Sequence, residues 1–500
     1  MTLHRRALLL AAALVTIARS DAWEVYRVHP FVEATADELD SRLRHPARDL
    51  RITTLQNDWL HEALAVGVTD EERATVTVEL HGEAAITEHV RLRVVGFINQ
   101  KDKSPSLDPI FDDPGKLDLG RHSKYMRNFA NIHGFPTVTA TAQDPVLIWL
   151  TADTRGLKPG AYSGLVRVSA GPGSERDIPL QLRVRPYALP EDNPLITQGW
   201  EWIPGAPTKE DGARLLYEYG INACHVDRDM RAARKAGFKF FMFVFAPSWK
   251  GKPPAEADEA AVDKRIDQIK ALIDELKLAP HEWALYTIDE PNDKSVPTQV
   301  LWHDYILSKW PEARFVYNPG WTGPVSDPHQ TVEGTIKPLA ACADIWLPYS
   351  WWIHSGQRKG GLETMKATGK PMWFYEIMGF SYNHRPTVGR DMLRTLPWVA
   401  ARYQLQGASW YSLNAYQHPW SNDPGKTGEY GCIYGTIPSR ALEALRQGIQ
   451  EYKRVHELRR LGVEETVIQD WAKRALGASR AGQIDRVRRE MDDRLLAIGR

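Results

Sequence analysis

From about residue 195 onward, short apolar strands alternate with helical patterns, and this alternation constrains the fold more than any other feature of the chain. Amphipathic segments such as 209–220 and 260–277 separate many of the strands. Eight alternations over about 230 residues predict a (β/α)8 TIM barrel. A doubly wound open sheet is the alternative, but GWEWIPG (199–205) after the first strand is not the glycine-rich phosphate loop of that fold. The eight candidate strands are 194–200, 221–226, 238–244, 283–289, 314–320, 343–349, 371–377 and 407–413.

The sequence before the predicted barrel is typical of β structure. Segments such as 74–80, 89–98 and 160–170 alternate polar and apolar residues or are rich in β-branched ones, with Pro and Gly turns between them. Short strands at this spacing predict a β-sandwich. The charged tail after Pro438 is amphipathic, which predicts helices that pack on the barrel or form a small terminal unit. We therefore expect a signal peptide (1–22), a β-sandwich domain (23–190), a TIM-barrel catalytic domain (191–438) and a C-terminal helical segment (439–500).

The amino terminus predicts export. The basic residues His4, Arg5 and Arg6 precede an apolar run, 7–18, that is shorter than a usual membrane-spanning helix. Small residues suited to signal-peptide cleavage follow at 18–22. An uncleaved anchor is the alternative. We expect a periplasmic or secreted protein with no membrane contact after cleavage.

Charge and cysteine content restrict the ligands that the chain is expected to bind. Lys+Arg and Asp+Glu both total 63, so no global field favours nucleic acid or an anionic membrane. The three cysteines, far apart in sequence, allow at most one disulfide. No CxxC or HExxH spacing occurs, so we expect neither a metal site nor a cofactor. The sequence leaves the oligomeric state open.

Polar and aromatic residues follow the predicted strands at their carboxyl ends, where TIM-barrel active sites lie. Flat aromatic faces stack on the C–H faces of sugar rings, and amides and acids bind hydroxyl groups. We therefore expect an oligosaccharide or polysaccharide substrate. A structural role stays open for some of these residues. The indoles of Trp373 and Trp410 would then fill the barrel, and His225 and Asp227 would form a structural pair. The candidate substrate-binding residues are Trp200, His225, Asp227, Trp249, Asn318, Tyr349, Trp373, Tyr375, Trp410, Tyr411 and Asn414.

The stretch WALYTIDEP (283–291) ends the fourth predicted strand in two adjacent carboxylates. Glycosidic cleavage needs an acid to protonate the leaving oxygen and a second group to stabilise the oxocarbenium-like centre, and Asp289 and Glu290 could supply both. Successive strand side chains point to opposite faces, so the pair converges only where the chain bends. Pro291 keeps Glu290 out of the right-handed helical region, which predicts an extended, turning tip. An acid role also requires a raised pKa for Glu290. The alternative is that Asp289 and Glu290 lie in a surface turn and cap the next helix.

A third carboxylate, Glu376, lies in the seventh predicted strand, across the barrel mouth from the fourth. A separation of roughly 5–5.5 Å from Glu290 would make Glu376 the nucleophile of a retaining glycosidase. The alternative is that Glu376 holds a hydroxyl group or an arginine.

Three stretches together resemble glycoside hydrolase family 123 and its relatives. Residues 145–190 look like the end of the N-terminal β-sandwich of that family, and residues 430–460 are similar to its closing segment. The Asp-Glu-Pro at 289–291 matches its adjacent Asp–Glu catalytic pair. The resemblance covers most of the chain after the signal peptide.

The family resemblance implies a retaining, substrate-assisted β-N-acetylgalactosaminidase. Glu290 would be the general acid/base, and Asp289 would orient the 2-acetamido group of the sugar, whose carbonyl oxygen attacks the anomeric carbon. Glu376 departs from the family pattern, in which a small or polar neutral residue follows the Trp-x-Tyr of the seventh strand. Two rivals remain: a two-carboxylate glycosidase that uses Glu290 and Glu376, and a polysaccharide-binding protein without catalysis. In the resemblance, the pocket walls would be Trp373, Tyr375, Trp410 and Tyr411.

Overall fold

The protein is represented by a computed structural model, and the predicted signal peptide, Asn414 and the side chain of Trp249 lie outside its described parts. The described residues are 23–31, 46–68, 74–99, 105–111, 129–132, 135–140, 146–170, 173–204, 208–320, 330–354, 360–377, 388–413, 432–434, 437–478 and 481–499.

Two larger sheets in the first part of the chain share one apolar core. The first has the strand order β1-β3-β10-β6-β7 with antiparallel neighbours, and the second has the order β2-β12-β11-β5. In β12, Ile178, Leu180, Leu182 and Val184 are buried because alternate side chains face the other sheet, where they cluster with residues such as Leu64. A smaller sheet has the order β4-β9-β8. The strands are β1 (Trp23–Val28), β2 (Leu50–Gln56), β3 (Trp59–Val68), β4 (Ala74–Thr75), β5 (Thr77–Gly82), β6 (Val90–Asn99), β7 (Pro105–Phe111), β8 (Phe129–Ile132), β9 (Phe135–Ala140), β10 (Val146–Asp153), β11 (Gly160–Ser169) and β12 (Glu175–Ala188).

Eight short parallel strands follow, and their hydrogen bonds connect them around a ring. They form two runs, β14-β15-β16-β17-β18 and β13-β20-β19. A parallel bridge between Trp346 and Met372 connects β18 to the segment that leads into β19. The backbone N–H of Asn222 donates to the carbonyl of Thr197 at 3.0 Å and connects β14 to β13. Each of the eight segments predicted from the sequence contains one of these strands: β13 (Ile196–Gly199), β14 (Ala223–Cys224), β15 (Phe240–Val244), β16 (Trp283–Tyr286), β17 (Phe315–Tyr317), β18 (Ile345–Trp346), β19 (Tyr375–Ile377) and β20 (Gly407–Tyr411).

Helices flank the parallel strands and form the carboxyl-terminal part of the chain. In the helix at 259–276, Asp258 accepts hydrogen bonds from the first backbone N–H groups, and Val262, Ile266 and Ile269 are buried along one face. No helix among the described residues is long and apolar enough to cross a membrane. A hairpin of β21 (Ile433–Tyr434) and β22 (Ile437–Pro438) precedes the last three helices. The helices are α1 (Ala84–His89), α2 (Lys209–Glu218), α3 (Met230–Ala236), α4 (Glu259–Leu276), α5 (Val296–Lys309), α6 (Lys337–Leu339), α7 (Trp351–His354), α8 (Gly361–Ala367), α9 (Val388–Tyr403), α10 (Arg440–Arg460), α11 (Glu465–Leu476) and α12 (Ala481–Ile498).

Helix α10 is buried between the amino-terminal sheets and the helices of the second part. Its Glu443 forms an ion pair with Arg93 of β6. Its Arg454 forms ion pairs with Asp58, between β2 and β3, and with Asp492 of α12, the latter at 2.6 Å. These side chains are almost completely buried, so loss of one partner would leave an uncompensated charge in the interior. Helix α10 therefore couples the two parts of the chain.

Candidate functional site

The chain turns sharply at Asp289 and Glu290, just beyond the carboxyl end of β16. Glu290 has a φ of +48°, in the left-handed region, which corrects the extended tip expected from the sequence. Pro291 disfavours the right-handed helical region for the residue before it, and the left-handed conformation is the one adopted. A left-handed glutamate is energetically unfavourable, and such residues often occur at functional sites.

Asn318 connects the two carboxylate residues. Its side-chain oxygen accepts a hydrogen bond from the backbone N–H of Glu290 at 3.1 Å, and its amide donates to Asp289 Oδ1 at 3.0 Å. The hydroxyl of Tyr286 donates to the same Asp289 oxygen. Asp289 Oδ2 accepts no hydrogen bond from the described residues, and the side chain is exposed. One oxygen of Asp289 is therefore fixed and the other is available to a ligand.

Glu290 is half-buried and receives a hydrogen bond from the hydroxyl of Tyr375, in β19. Burial, followed by the nearby carboxylate of Glu290, raises the pKa of Tyr375 well above its usual value. Burial, followed by the nearby carboxylate of Asp289, also raises the pKa of Tyr286 well above its usual value. Both phenols therefore remain neutral hydrogen-bond donors over the ordinary pH range. The raised pKa expected for Glu290 itself stays a prediction.

Aromatic rings stand beside the carboxylate pair. The ring centroid of Trp200 lies 5.3 Å from that of Tyr286 and 4.7 Å from that of His225. The ring of Tyr349 lies 5.2 Å from that of Tyr375. Burial lowers the pKa of His225 to about 4, so His225 is neutral at physiological pH. The structure thus brings five predicted site residues into one neighbourhood with Asp289 and Glu290: Trp200, His225, Asn318, Tyr349 and Tyr375.

A further carboxylate, Glu201, lies at this end of the ring and was missing from the predicted site. It follows Trp200 directly, has a φ of +84° and forms a hydrogen bond with Tyr411, the last residue of β20. Burial raises its pKa. Its position directly after the first predicted strand, between two tryptophans, is the sequence signal that could have identified it.

The side chains of Glu376 and Trp410 lie on the outer face of the ring, opposite to the face that carries Tyr375. They are register partners in β19 and β20, and neighbouring side chains in a strand point to opposite faces, so neither shares the face of Tyr375. Glu376 accepts hydrogen bonds from the hydroxyl of Ser350 and from the backbone N–H of Ile377, the latter at 2.9 Å. Trp410 is fully buried. These positions correct the expectation that Trp410 walls the pocket, and they match the alternative in which Glu376 holds a hydroxyl group.

Trp373 and Asp227 also differ from their predicted roles. The ring of Trp373 packs 4.6 Å from that of Phe240, the first residue of β15, and a β-carbon on Gly407, the first residue of β20, would lie 2.4 Å from Trp373 Cγ. Trp373 therefore fills the ring at the amino-terminal end of its strands. Asp227 forms an ion pair with Arg265 of α4 at 2.6 Å. Asp227 therefore has a structural partner, but that partner is Arg265 and not His225, with which the sequence alternative paired it.

We also searched the described residues for a metal site. Among them, no group of three or more His, Cys, Asp and Glu side chains could hold a metal ion. All three cysteines are buried free thiols.

Comparisons with known proteins give likenesses to solved structures. A family 123 glycoside hydrolase from Clostridium perfringens is similar over 95% of this chain and 98% of its own, with 11% identity and a TM-score of 0.59. A family 39 glycoside hydrolase from Bacteroides cellulosilyticus covers 81% of each chain at 14% identity and a TM-score of 0.38. A GH5 xyloglucanase from Bacteroides ovatus covers 81% of this chain and 98% of its own at 9% identity and a TM-score of 0.28. No protein-family model and no curated protein matches the sequence. The first likeness shows that the chain has a glycoside hydrolase-like fold.

Proposed function

We propose that this protein is an exported glycoside hydrolase, built from a β-sandwich, a (β/α)8 barrel and a helical tail, that cleaves a glycosidic bond of a 2-acetamido sugar. The observation that carries the proposal is the arrangement of Asp289 and Glu290 at one strand tip, tied together by Asn318 and flanked by tyrosine donors. The C. perfringens enzyme is described as hydrolysing glycolipid glycans, which supports a glycan substrate for this similar fold.

In the proposed reaction, Glu290 donates its proton to the departing glycosidic oxygen. The carbonyl oxygen of the 2-acetamido group attacks the anomeric carbon and forms a cyclic oxazolinium intermediate. Asp289 Oδ2, which is available to a ligand, accepts the acetamido N–H and stabilises the positive charge. Glu290 then removes a proton from water, which opens the ring with overall retention.

The contacts around Asp289 and Glu290 suit the different roles proposed for these two residues. Tyr286 and Asn318 both donate hydrogen bonds to one oxygen of Asp289 and fix the orientation of the carboxylate. Its other oxygen is therefore already oriented before the reaction and does not need to move during it. Trp200 offers an aromatic face beside Tyr286 for the sugar ring. Tyr411, hydrogen-bonded to Glu201, extends the same wall.

Replacement of the acid tests the proposal. We expect Glu290→Gln to lower kcat on aryl β-N-acetylgalactosaminides by about 10²–10⁴-fold, the usual contribution of a general acid, while sugar binding persists. Glu363→Gln, on the exposed surface of α8, is the matched control and should retain full activity. Unchanged turnover in Glu290→Gln would exclude the acid role.

Substrate and inhibitor panels test the acetamido assistance separately. We expect aryl glycosides that lack the 2-acetamido group to be poor substrates and a thiazoline inhibitor to bind tightly. Equal turnover of glycosides without the acetamido group would reject substrate assistance. Sugar binding without turnover of any glycoside would favour the polysaccharide-binding alternative. Export is tested independently by fractionation of expressing cells, with cytoplasmic retention as the contrary result.

A further inference from the structure

Two glutamates at the strand ends have an unusual backbone conformation. Among the described residues, five residues other than glycine have a positive φ: Asn57, Glu201, Lys277, Glu290 and Gln404. Lys277 caps the end of α4, Gln404 directly follows α9, and Asn57 lies in the turn between β2 and β3, all of which are ordinary places for this conformation. Glu201 and Glu290 instead follow the carboxyl ends of β13 and β16. Such strain is often found at functional sites, and the proposed reaction uses only Glu290.

The chain is held on both sides of Glu201. Before it, the backbone N–H of Trp200 donates to the carbonyl of Trp410 at 3.0 Å. After it, the backbone N–H of Ile203 donates to the fully buried carboxylate of Asp229 at 2.7 Å. A left-handed glutamate persists only where its surroundings fix the backbone, and these two hydrogen bonds do so.

The hydrogen bond between Glu201 and Tyr411 places the Glu201 carboxylate on the inner side of the ring. Ser409 is the register partner of Tyr375, whose hydroxyl reaches Glu290, so Ser409 and Tyr375 share the inner face. Side chains two positions apart in a strand point to the same face, so Tyr411 also faces inward, nearer to the carboxyl end of β20. Glu201 therefore lies at the same mouth as the proposed acid.

The chemistry of this position suits a sugar hydroxyl group. An ionised carboxylate has about four acceptor sites, and the hydroxyl of Tyr411 occupies one at Glu201. A sugar ring that stacks on Trp200 would direct its hydroxyl groups towards the polar side chains at its edge. In a 2-acetamido sugar these are the hydroxyl groups at carbons 3, 4 and 6. Glu201, Asp289 and Glu290 are all carboxylates, so a sulfated sugar would meet like charges at this mouth.

We propose that Glu201 is a substrate-binding residue whose carboxylate accepts hydrogen bonds from hydroxyl groups of the sugar and selects a neutral sugar over a sulfated one. The inference rests on the proposed function, from which the 2-acetamido sugar and its place beside Trp200 are taken. Because the backbone of Glu201 is already fixed, binding loses little conformational freedom there. A sulfate ester at the contacted hydroxyl removes the donor and adds a negative charge beside the carboxylate.

Calorimetric titration with N-acetylgalactosamine tests the inference without turnover, because the free sugar has no glycosidic bond to cleave. We expect Glu201→Gln to bind the sugar about tenfold more weakly or worse, the effect of losing a hydrogen bond to a charged group. The unaltered protein should show a similar loss with one of the 3-, 4- and 6-deoxy sugars. Glu201→Gln should bind that deoxy sugar and N-acetylgalactosamine equally well, because the lost contact is the same. Glu312→Gln, in the exposed turn before β17, is the matched control and should bind like the unaltered protein.

Three results would overturn the role of Glu201. They are no binding of N-acetylgalactosamine, equal binding by the unaltered protein and Glu201→Gln, and a loss in Glu201→Gln that is the same for all three deoxy sugars. Turnover of aryl glycosides reports separately on the proposed function. Turnover together with binding that is insensitive to Glu201→Gln rejects only this inference, whereas sensitive binding without turnover of any glycoside rejects only the hydrolysis.

A second measurement avoids the substitution, in case Glu201→Gln fails to fold. The unaltered protein is titrated with N-acetylgalactosamine sulfated at the hydroxyl that the deoxy series identifies, at constant ionic strength. We expect weaker binding of the sulfated sugar than of the deoxy sugar, because charge repulsion adds to the lost hydrogen bond. Equal binding of all three deoxy sugars and the parent sugar would reject the hydroxyl contact, and a sulfated sugar that binds as tightly as the parent sugar would reject the selection of a neutral sugar.

Discussion

Gly320 packs directly against Glu290: a β-carbon on Gly320 would lie 2.2 Å from the β-carbon of Glu290. Side chains in a packed interior do not approach so closely, so any other residue at 320 would displace the glutamate. The glycine that ends the fifth predicted strand therefore sets the position of the proposed acid, although it lies thirty positions away in sequence.

Gly320→Ala is expected to lower kcat/KM by about 10²-fold, because a displacement of about 1 Å is enough for a loss of that size. The altered residue lies at a strand end, so the thermal unfolding curve should change little. Gly482→Ala is the control: no atom lies within 4 Å of a β-carbon at that helical position, and full activity is expected. Full activity in Gly320→Ala as well would show that the position of Glu290 is not critical.

The local patterns of the sequence predicted much of this arrangement. Strand periodicity and the DEP stretch identified the eight parallel strands and the carboxylate pair, because both are properties of contiguous residues. The link through Asn318 and the contact with Gly320 depend on how β16 and β17 align, and the left-handed turn at Glu290 is a response to that packing. A sequence read along one strand does not contain this information.

The misassigned residues have a similar physical origin. Trp373 and Glu376 occur in the same predicted strand as Tyr375, but the strand itself begins at Tyr375. Trp373 therefore lies at the amino-terminal end of the strands, away from Asp289 and Glu290, and the side chain of Glu376 lies on the outer face of the ring. Which alternate residues face inward is set by the register with β20, and the aromatic composition of the strand does not reveal that register.

Tyr375→Phe tests the hydrogen bond to Glu290 through the pH profile. The raised pKa of Tyr375 keeps its hydroxyl a neutral donor, and a donor favours the charged form of the carboxylate. Its removal should make protonated Glu290 persist to higher pH, so the alkaline limb of the kcat/KM profile should move up by about 1 pH unit. Tyr162→Phe, whose exposed hydroxyl bonds only the carbonyl of Lys158 among the described residues, should leave the limb in place. A limb that stays fixed in Tyr375→Phe, or moves to lower pH, would contradict the assignment.

Asp58→Asn tests the coupling of α10 to the amino-terminal sheets. Burial acts to raise the pKa of Asp58, but the charge and hydrogen bonds of Arg454 outweigh it and hold this pKa below its usual value. The stability from this pair is therefore complete above the unfolded-state pKa, about 3.9, and is lost as pH falls through the lower folded-state pKa. We expect Asp58→Asn to cost about 3–5 kcal/mol at pH 7 and progressively less below about pH 4.

Thermal unfolding followed by calorimetry from pH 7 to pH 3 measures this difference. Asp49→Asn is the matched control, because Asp49 pairs with Arg51 at 2.7 Å on the exposed surface and should contribute no more than about 1 kcal/mol. A cost of Asp58→Asn that is small at pH 7, or that grows as pH falls, would show that the buried pair does not stabilise the junction.

Glu376→Gln separates the substrate-assisted mechanism from the two-carboxylate alternative. Glu376 shares the outer face of the ring with Trp410, and its oxygens accept hydrogen bonds from Ser350 and the backbone of Ile377. Glutamine keeps the shape and one acceptor oxygen, so we expect kcat to fall by less than about tenfold and thermal stability to fall by about 1–3 kcal/mol, the cost of a weakened buried hydrogen bond. A nucleophile would behave differently: Glu376→Ala would lose nearly all turnover, and azide would restore it with an inverted glycosyl azide product. Azide rescue of Glu376→Ala would therefore replace the acetamido oxygen with Glu376 as the attacking group, while activity that persists without azide would keep Glu376 as a structural carboxylate behind the site.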